Sequence, residues 1–181
     1  MTFTPTSLEG SYLIDPNVFQ DERGWFTRTY CKEEFSSIVP SLEWVQFNHS
    51  CTRHCGAIRG LHFQKPPHQE AKLIRCIAGA VWDVTVDLRI ESPSFLKWFG
   101  VELSAANRKM LFVPERFAHG FQTLTENCEM LYHHTHAYAP DAEGGLRYDD
   151  PQLAIHWPKP PTCLSERDLR HPLLTQDFKG I

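Results

Sequence analysis

The segment AVWDVTVDL (80–88) decides the fold class. Valines and a leucine are interleaved in it with two aspartates and a threonine, and this alternation is typical of a β-strand. The alternation is imperfect, because Val81 and Val84 differ in parity. The segment predicts a strand with at least one buried face.

Eight other segments of the chain alternate in a similar way. They are WFTRTY (25–30), EWVQFN (43–48), AIRGLHF (57–63), KLIRCIA (72–78), KWFGVEL (97–103), KMLFVP (109–114), HGFQTLT (119–125) and EMLYHHT (129–135). Turn signals such as Pro66-Pro67 and Gly79 separate them at intervals of roughly 10 residues, which suits antiparallel strands in a sandwich or a barrel. Helical signals are confined to CKEEFSSI (31–38) and the stretch after Ser165. We therefore predict an all-β protein with a few short helices.

Length and composition indicate one folded domain. The chain has 181 residues, of which 41% are hydrophobic and 22% charged, so it has enough apolar material to close one core. We expect a single domain over residues 1–181. About ten strands leave sheet edges that must be closed or paired, so we also expect a homodimer in which N-terminal strands are shared.

Charge and hydropathy disfavour two classes of partner. The formal net charge is −4 and no basic block occurs, which argues against nucleic acid. No apolar run approaches the roughly 18 residues that cross a bilayer, and the first residues lack the pattern of a signal peptide. The six cysteines predict free thiols rather than a disulfide framework. We expect a cytoplasmic protein that binds neither nucleic acid nor membrane.

Ten histidines raise the question of a metal site. Jelly-roll barrels that bind a metal often carry two histidines one residue apart on a strand. His62 has Gly60 and Gln64 at those positions, so the adjacent pair of ligands is missing. The other candidate sets are His134 with His136, and Cys51 and Cys55 with His49 and His54. Neither has a second pair at zinc-ribbon spacing, and we predict no bound metal.

The surroundings of His62 differ from those of an ordinary strand residue. Arg59 precedes it by three residues, and Lys72 follows by ten, across a proline turn. Residues 59 and 62 have opposite parity, so both can face one site only if the strand bends or bulges at Gly60. Taken alone, a histidine in this position is more often a hydrogen-bonded core residue than a catalyst.

Longer segments give the chain a resemblance to a known family. They are FQDERGWF (19–26), VQFNHSCT (45–52), IRGLHFQ (58–64), KLIRCIAGAVWDVTVDLR (72–89), SPSFLKW (92–98), VPERFAHGFQTL (113–124), YDDPQLAIHWP (148–158) and LSERD (164–168). From about residue 10 to about residue 172 the chain resembles the dTDP-4-dehydrorhamnose 3,5-epimerases. The resemblance implies a double-stranded β-helix, the jelly-roll barrel of the cupins.

The resemblance also implies a reaction. Substrates of this family carry a ketone at C4 of a nucleotide-linked 6-deoxyhexose, which acidifies the hydrogens on C3 and C5. By position, His62 matches the family's base, Asp168 the carboxylate that orients it, Lys72 the cation beside the enolate oxygen, and Tyr132 the opposing acid. A phenol donates more readily where a site lowers its pKa from about 10. The ketone serves as the electron sink, so no cofactor is implied.

Six substrate-binding residues follow from the same matching. They are Arg23, Phe26, Gln46, Asn48, Arg59 and His119. Arg23 and Arg59 match phosphate ligands, for which a guanidinium offers a bidentate fork. The resemblance places Phe26 near the nucleobase and the remaining three at the diphosphate and sugar.

Several alternatives stay open at this point. Arg28 stands where the family commonly has a glutamate and Ala137 where it often has an aromatic residue, so a CDP- or GDP-linked sugar is an alternative to a dTDP-sugar. Tyr132 favours epimerisation at both carbons, but a mono-epimerase of C3 or C5 uses the same groups. A metal-dependent cupin enzyme and a sugar-binding barrel without activity are the remaining alternatives.

Overall fold

A computed structural model describes residues 1–181, and β-strands dominate it. The strands are β1 (Thr2–Pro5), β2 (Tyr12–Asp15), β3 (Val18–Asp21), β4 (Gly24–Thr27), β5 (Gln46–Thr52), β6 (Ile58–Gln64), β7 (Lys72–Ala78), β8 (Ala80–Asp87), β9 (Trp98–Ser104), β10 (Met110–Val113), β11 (Phe117–Thr123), β12 (Cys128–His134) and β13 (Glu143–Gly145). Two short helices, α1 (Lys32–Phe35) and α2 (Glu166–Leu169), and a 3₁₀ turn over Pro140–Ala142 complete the secondary structure. The all-β prediction is confirmed.

Two antiparallel sheets enclose the interior as a jelly roll. One has six strands in the order β1-β2-β10-β7-β12-β5, and the other has five in the order β13-β6-β11-β8-β9. Strands β3 and β4 form a separate two-stranded hairpin. No helix of the protein is long and apolar enough to span a membrane.

Strand β8 is buried on both faces, which explains its imperfect alternation. Val81 packs in the core between the two sheets with residues of both. Val84 and Val86 belong to a second apolar layer on the outer side of the five-stranded sheet. Each such side chain contributes roughly 1.5–3 kcal/mol when fully buried, so both faces stabilise the strand.

Segments outside the strands cover the outer sides of the sheets. Leu153 and Leu174, near the C-terminus, pack on the five-stranded sheet. Phe35 of α1 and Leu42 pack on the six-stranded sheet. Helix α1 is only four residues long and lacks a side-chain cap, so the fully buried Phe35, with its ring 5.2 Å from that of Phe3, is what holds it in place.

A register shift in β6 turns Arg59 and His62 to the same side. The pairing of β11 with β6 shifts between His119 and Phe121, opposite Gly60. Gly60 has a φ of 120°, and a Cβ there would lie 2.6 Å from Gly120 Cα, so only glycine fits the close approach of the two backbones. The predicted irregularity at Gly60 is therefore present.

Candidate active site

A polar cavity of about 270 Å³ opens between the two sheets. Its polar groups continue the inward-facing positions of core strands: Lys72 lies two residues before Ile74, and Tyr132 two residues after Met130. Six of the ten sequence-predicted site residues line it: Asn48, Arg59, His62, Lys72, His119 and Tyr132. The interior is thus apolar in one part and carries functional groups in another.

Asp168 lies behind His62 and holds it by a hydrogen bond. Its Oδ1 is 2.8 Å from His62 Nε2, and its Oδ2 accepts a bond from the Gly60 amide at 3.2 Å. Ser165 caps α2 by accepting from the Asp168 amide, which fixes the carboxylate's position. Burial acts to raise the pKa of Asp168, but the hydrogen bond and charge of His62 outweigh it and bring that pKa down to about 2. An ionised carboxylate only accepts, so Nε2 of His62 carries the proton and Nδ1 keeps its lone pair.

Tyr132 lines the same cavity from the other sheet. It lies on β12, whereas His62 lies on β6, so the two side chains come from opposite walls. Burial raises the pKa of the Tyr132 phenol, and the hydroxyl of Ser50, at 3.3 Å, opposes this only in part. The direction is opposite to the lowering considered from the sequence, because burial outweighs both the hydrogen bond with Ser50 and the positive charge of Arg59. The phenol therefore stays protonated in the unliganded site.

Lys72 belongs to a buried charged group that the sequence did not reveal. Its ammonium is 3.0 Å from Glu70 Oε1, and Glu70 Oε2 is 2.8 Å from His134 Nδ1. Burial alone raises the pKa of Glu70, but the hydrogen bond from His134 and the charge of Lys72 make the net shift downward. Lys72 is thus held as an ammonium inside the cavity, with only 7% of its surface exposed.

His119 is anchored by the most deeply buried carboxylate of the site. Its Nε2 lies 3.0 Å from each oxygen of Asp83, which faces inward from β8 two residues after Val81. Burial raises the pKa of Asp83. The polar positions that alternate with valines in β8 therefore supply the anchor of a cavity histidine.

Two predicted binding residues flank the cavity mouth on β5. Asn48 lines the cavity, and Gln46 stands beside it, donating from Nε2 to Asn48 Oδ1 at 3.2 Å. The Oε1 atom of Gln46 accepts a hydrogen bond from the Tyr138 backbone N–H at 2.9 Å. Gln46 therefore supports the mouth rather than lining the cavity.

Arg23 and Phe26 lie outside this cavity. Both belong to the β3–β4 hairpin, where Arg23 pairs with Asp21 at 2.6 Å and Phe26 is 70% exposed. Arg28, the residue that departs from the family pattern, follows this hairpin and pairs with Glu34 at 2.9 Å. The structure of one chain does not bring the hairpin residues together with His62.

Three rim residues escaped the sequence analysis. Tyr138 is 55% exposed at the cavity edge, and its hydroxyl donates to Glu143 Oε2 at 3.2 Å. Arg167 donates to the other oxygen of Glu143 at 2.9 Å. Arg167 lies in the matched LSERD segment and Tyr138 is adjacent to Ala137, so the sequence analysis had reached both positions. Only the fold shows that both side chains contact Glu143 at the cavity rim.

The two metal-ligand sets weighed from the sequence are not assembled. His134 is bound to Glu70, whereas His136 donates from Nδ1 to the Ala137 carbonyl at 2.8 Å. Cys51, Cys55, His49 and His54 do not converge either, and His49 instead pairs with Glu129 at 2.8 Å. One group of three metal-type side chains does converge in the protein, and it contains His62 and Asp168.

Within a jelly-roll barrel, a histidine oriented by a carboxylate and facing a phenol across a polar cavity defines an enzyme of acid–base chemistry. Sequence comparison then specifies the kind of enzyme. The chain belongs to the dTDP-4-dehydrorhamnose 3,5-epimerase family, whose profile matches residues 5–176. Both the resemblance found in the sequence and the cupin-like fold that it implied are confirmed.

Individual relatives match over nearly the whole chain. The chain is 42% identical over 178 residues to dTDP-4-dehydrorhamnose 3,5-epimerase of Salmonella typhimurium, covering 97% of each protein. It superimposes with a TM-score of 0.90 and 36% identity on a dTDP-6-deoxy-D-glucose-3,5-epimerase from Legionella pneumophila in complex with dTDP-4-keto-L-rhamnose, covering 95% of this chain and 92% of that one. A dTDP-4-dehydrorhamnose 3-epimerase of Streptomyces niveus is 36% identical over 169 residues, covering 93% of this chain and 81% of its own.

Proposed function

We propose that this enzyme inverts C3 and C5 of a nucleotide-linked 4-keto-6-deoxyhexose, in the manner of the conversion of dTDP-4-dehydro-6-deoxyglucose into dTDP-4-dehydrorhamnose. The observation that carries the proposal is the placement of the His62–Asp168 pair and of Tyr132 on opposite walls of one cavity. Inversion at a carbon requires a base on one face of the sugar and an acid on the other, and these residues meet that requirement.

The reaction begins at the C–H bond next to the ketone. Nδ1 of neutral His62 accepts the proton, the electron pair of the C–H bond forms a C=C bond, and the carbonyl oxygen becomes an enolate. The ammonium of Lys72 stabilises that oxygen, and a low-dielectric cavity strengthens the attraction. Tyr132 then protonates the opposite face of the same carbon. The imidazolium and the tyrosinate regain their starting states by proton exchange with water.

Arg59 is the residue that we assign to the diphosphate on this chain. Its guanidinium makes one hydrogen bond, to Thr52 Oγ1 at 3.3 Å, so most of its N–H groups remain free at the cavity. A planar fork with several free donors suits phosphate oxygens. Asn48 and His119 line the remaining wall, where they are placed to bind the sugar and diphosphate, with Gln46 supporting Asn48.

We infer that a second copy of the chain completes the site. The β3–β4 hairpin exposes Phe19, Trp25 and Phe26, of which Phe19 and Phe26 are 66% and 70% exposed, and it is not part of either large sheet. Exposed aromatic side chains on an isolated hairpin are suited to an interface. In a homodimer, this hairpin brings Arg23 to the partner's diphosphate site and Phe26 to its nucleobase.

Mixing two inactive variants tests the shared site. His62→Ala and Arg23→Ala, refolded together, form hybrid dimers in which one of two sites is intact, so about a quarter of the wild-type activity returns. Arg170→Ala, an exposed arginine paired with Glu166, is the control and stays active by itself. A mixture no more active than its components, or a monomer by light scattering, contradicts the shared site.

Turnover in heavy water tests the reaction and its position. Wild-type protein is expected to place deuterium on C3 and C5 of the sugar, and His62→Ala on neither. His156→Asn, an exposed histidine outside the cavity, is the control that retains labelling. The second candidate is a 3-epimerase, which the Streptomyces niveus relative supports by its name. Label on C3 alone selects that candidate.

The nucleobase is proposed to be thymine, as in the family name. Tyr138 offers an exposed aromatic ring at the cavity mouth, next to Ala137, where the family often places an aromatic residue. We expect dTDP to raise the melting temperature more than CDP or GDP does, because binding to the native state stabilises it. A larger shift with CDP or GDP assigns the corresponding sugar instead. The free thiols suit a reducing compartment, which supports a cytoplasmic location for the enzyme.

A further inference from the structure

Three potential metal ligands converge behind the cavity. Oδ1 of Asp168 lies 2.8 Å from Nε2 of His62 and 3.8 Å from Nε2 of His171. All three atoms lie within 4.8 Å of one another. Tetrahedral zinc bound at about 2.0–2.1 Å separates its ligands by about 3.3 Å, a value between the two measured distances. Small side-chain rotations are therefore enough to close the set around one ion.

The Nε2 atom of His171 is buried and has no hydrogen-bond partner. Buried polar atoms are usually paired, and this unpaired nitrogen lies 3.8 Å from a carboxylate oxygen, so it is available as a ligand. The backbone also makes room for this imidazole: a Cβ at position 145 would overlap the His171 ring, and residue 145 is glycine. The His171 ring is 5.6 Å from the ring of His62, in an edge-on arrangement.

We propose that His62, Asp168 and His171 form an inhibitory binding site for a divalent transition-metal ion, with zinc as the best fit. Two imidazole nitrogens and one carboxylate oxygen suit zinc, whereas magnesium and calcium prefer oxygen ligands alone. Three protein ligands leave a fourth position open for water. This set was not predictable from the sequence, because its members are 106 and 3 residues apart and no short motif joins them.

Metal binding and base catalysis exclude each other at His62. In the metal-free site Nε2–H donates to Asp168, and the lone pair of Nδ1 is free to take a proton. A metal ion needs the lone pair of Nε2, so the proton of the neutral ring moves to Nδ1, which then cannot accept another. The ion also takes the carboxylate that stabilises the imidazolium. The inhibitory effect rests on the proposed function, whereas the binding does not.

Arg167 is the group that opposes a cation here. Its Nη2 lies 3.2 Å from His62 Nε2 and its Nε lies 3.6 Å from Asp168 Oδ1. The Arg167 side chain is 55% exposed, and its ion pair with Glu143 lies at the cavity rim, so the guanidinium can move towards solvent. Removing this positive charge strengthens zinc binding, which is the opposite of the effect of removing a ligand.

Zinc titration of the full chain tests the proposal. Cys51 and Cys163 are exposed, and thiolates are zinc ligands in their own right, so all variants carry serine at both positions. By calorimetry we expect one zinc ion per chain, an affinity at least about tenfold weaker in His171→Asn, a stronger affinity in Arg167→Ala, and no change in His156→Asn. Cobalt(II) bound at the same site gives a spectrum without a thiolate charge-transfer band.

Activity is then measured with and without zinc for each variant. Zinc inhibits the parent reversibly on addition of a chelator, and His171→Asn needs at least about tenfold more zinc for the same inhibition. Equal zinc affinity of parent and His171→Asn overturns the site. Tight binding that leaves turnover intact overturns the inhibitory effect. Calorimetry needs no turnover, so failure of the proposed epimerase function leaves the binding result interpretable.

Discussion

Replacing Asp168 by asparagine separates the geometry of the His62–Asp168 pair from its charge. The amide nearly matches the carboxylate in size, but one of its two ends is an N–H donor. The carboxylate accepts from both His62 Nε2 and the Gly60 amide, so either orientation of asparagine sets two donors against each other. The clash of donors is relieved most easily if the amide N–H faces His62. His62 then changes tautomer, and its Nε2 accepts a hydrogen bond from the new amide.

The loss of stability follows from the pKa of the carboxylate. That pKa falls from 3.8 to about 2 in the folded protein, and at about 1.4 kcal/mol for each pKa unit this corresponds to about 2–3 kcal/mol at neutral pH. Because the folded-state pKa is depressed, the contribution is fully present above the unfolded value of 3.8 and is lost as pH falls towards about 2. Urea unfolding at pH 7 is expected to show a lower free energy of unfolding for Asp168→Asn than for wild type. The difference between the two free energies narrows as the pH falls from 3.8 towards about 2.

The loss of activity is larger, because the tautomer is wrong for catalysis. With the proton on Nδ1, His62 has no lone pair facing the cavity, and kcat falls on the order of 10⁴-fold, as for the corresponding change in serine proteases. Asp149→Asn is the matched control: an arginine-bound carboxylate at the surface, whose loss leaves kcat unchanged. An Asp168→Asn enzyme within tenfold of wild-type kcat refutes the tautomer argument.

Three further substitutions test other parts of the structure. Tyr132→Phe removes the opposing acid; inversion measured by product NMR is expected to fall at least about 10²-fold while C3–H exchange persists, and loss of both contradicts separate roles. Lys72→Gln removes the cation at the enolate and lowers kcat by about 10²-fold or more with little change in KM; a change in KM alone assigns Lys72 to binding. Phe35→Ala is expected to cost about 3–5 kcal/mol in urea unfolding with activity per folded molecule retained, since this ring packs outside the six-stranded sheet; a cost under about 1 kcal/mol means that α1 contributes little.

The alternation of apolar and polar residues was sufficient to predict the position of central strands, which have a neighbouring strand on each side. KLIRCIA coincides with β7, and AVWDVTVDL extends one residue past β8. The pattern placed EWVQFN at 43–48, but β5 runs over Gln46–Thr52, because this edge strand alternates polar side chains with few apolar ones. Strands β1, β2, β3 and β13 were not found, since segments of three or four residues are defined by their pairing partners rather than by their own alternation.

The site residues were predictable by position only as far as the family pattern reaches. The contact between His62 and Asp168 spans 106 residues, and no local spacing encodes it. Glu70 was missed, and His134 was considered only as a metal ligand, for a different reason. Each reads as an ordinary polar residue in its strand or turn, and their hydrogen bond joins positions 64 residues apart. Pairing of β12 with β7 sets His134 opposite Lys72 and so creates the charged group.

The pKa of Tyr132 bears on the order of the proposed steps. A phenol whose pKa is raised by burial does not release its proton to water at neutral pH. It therefore stays protonated and neutral until a stronger base forms nearby. The only such base in the proposed cycle is the carbanion-like enolate carbon, which exists after His62 has acted. Burial of Tyr132 therefore makes proton removal by His62 the first step, and the protonation from the opposite wall follows it.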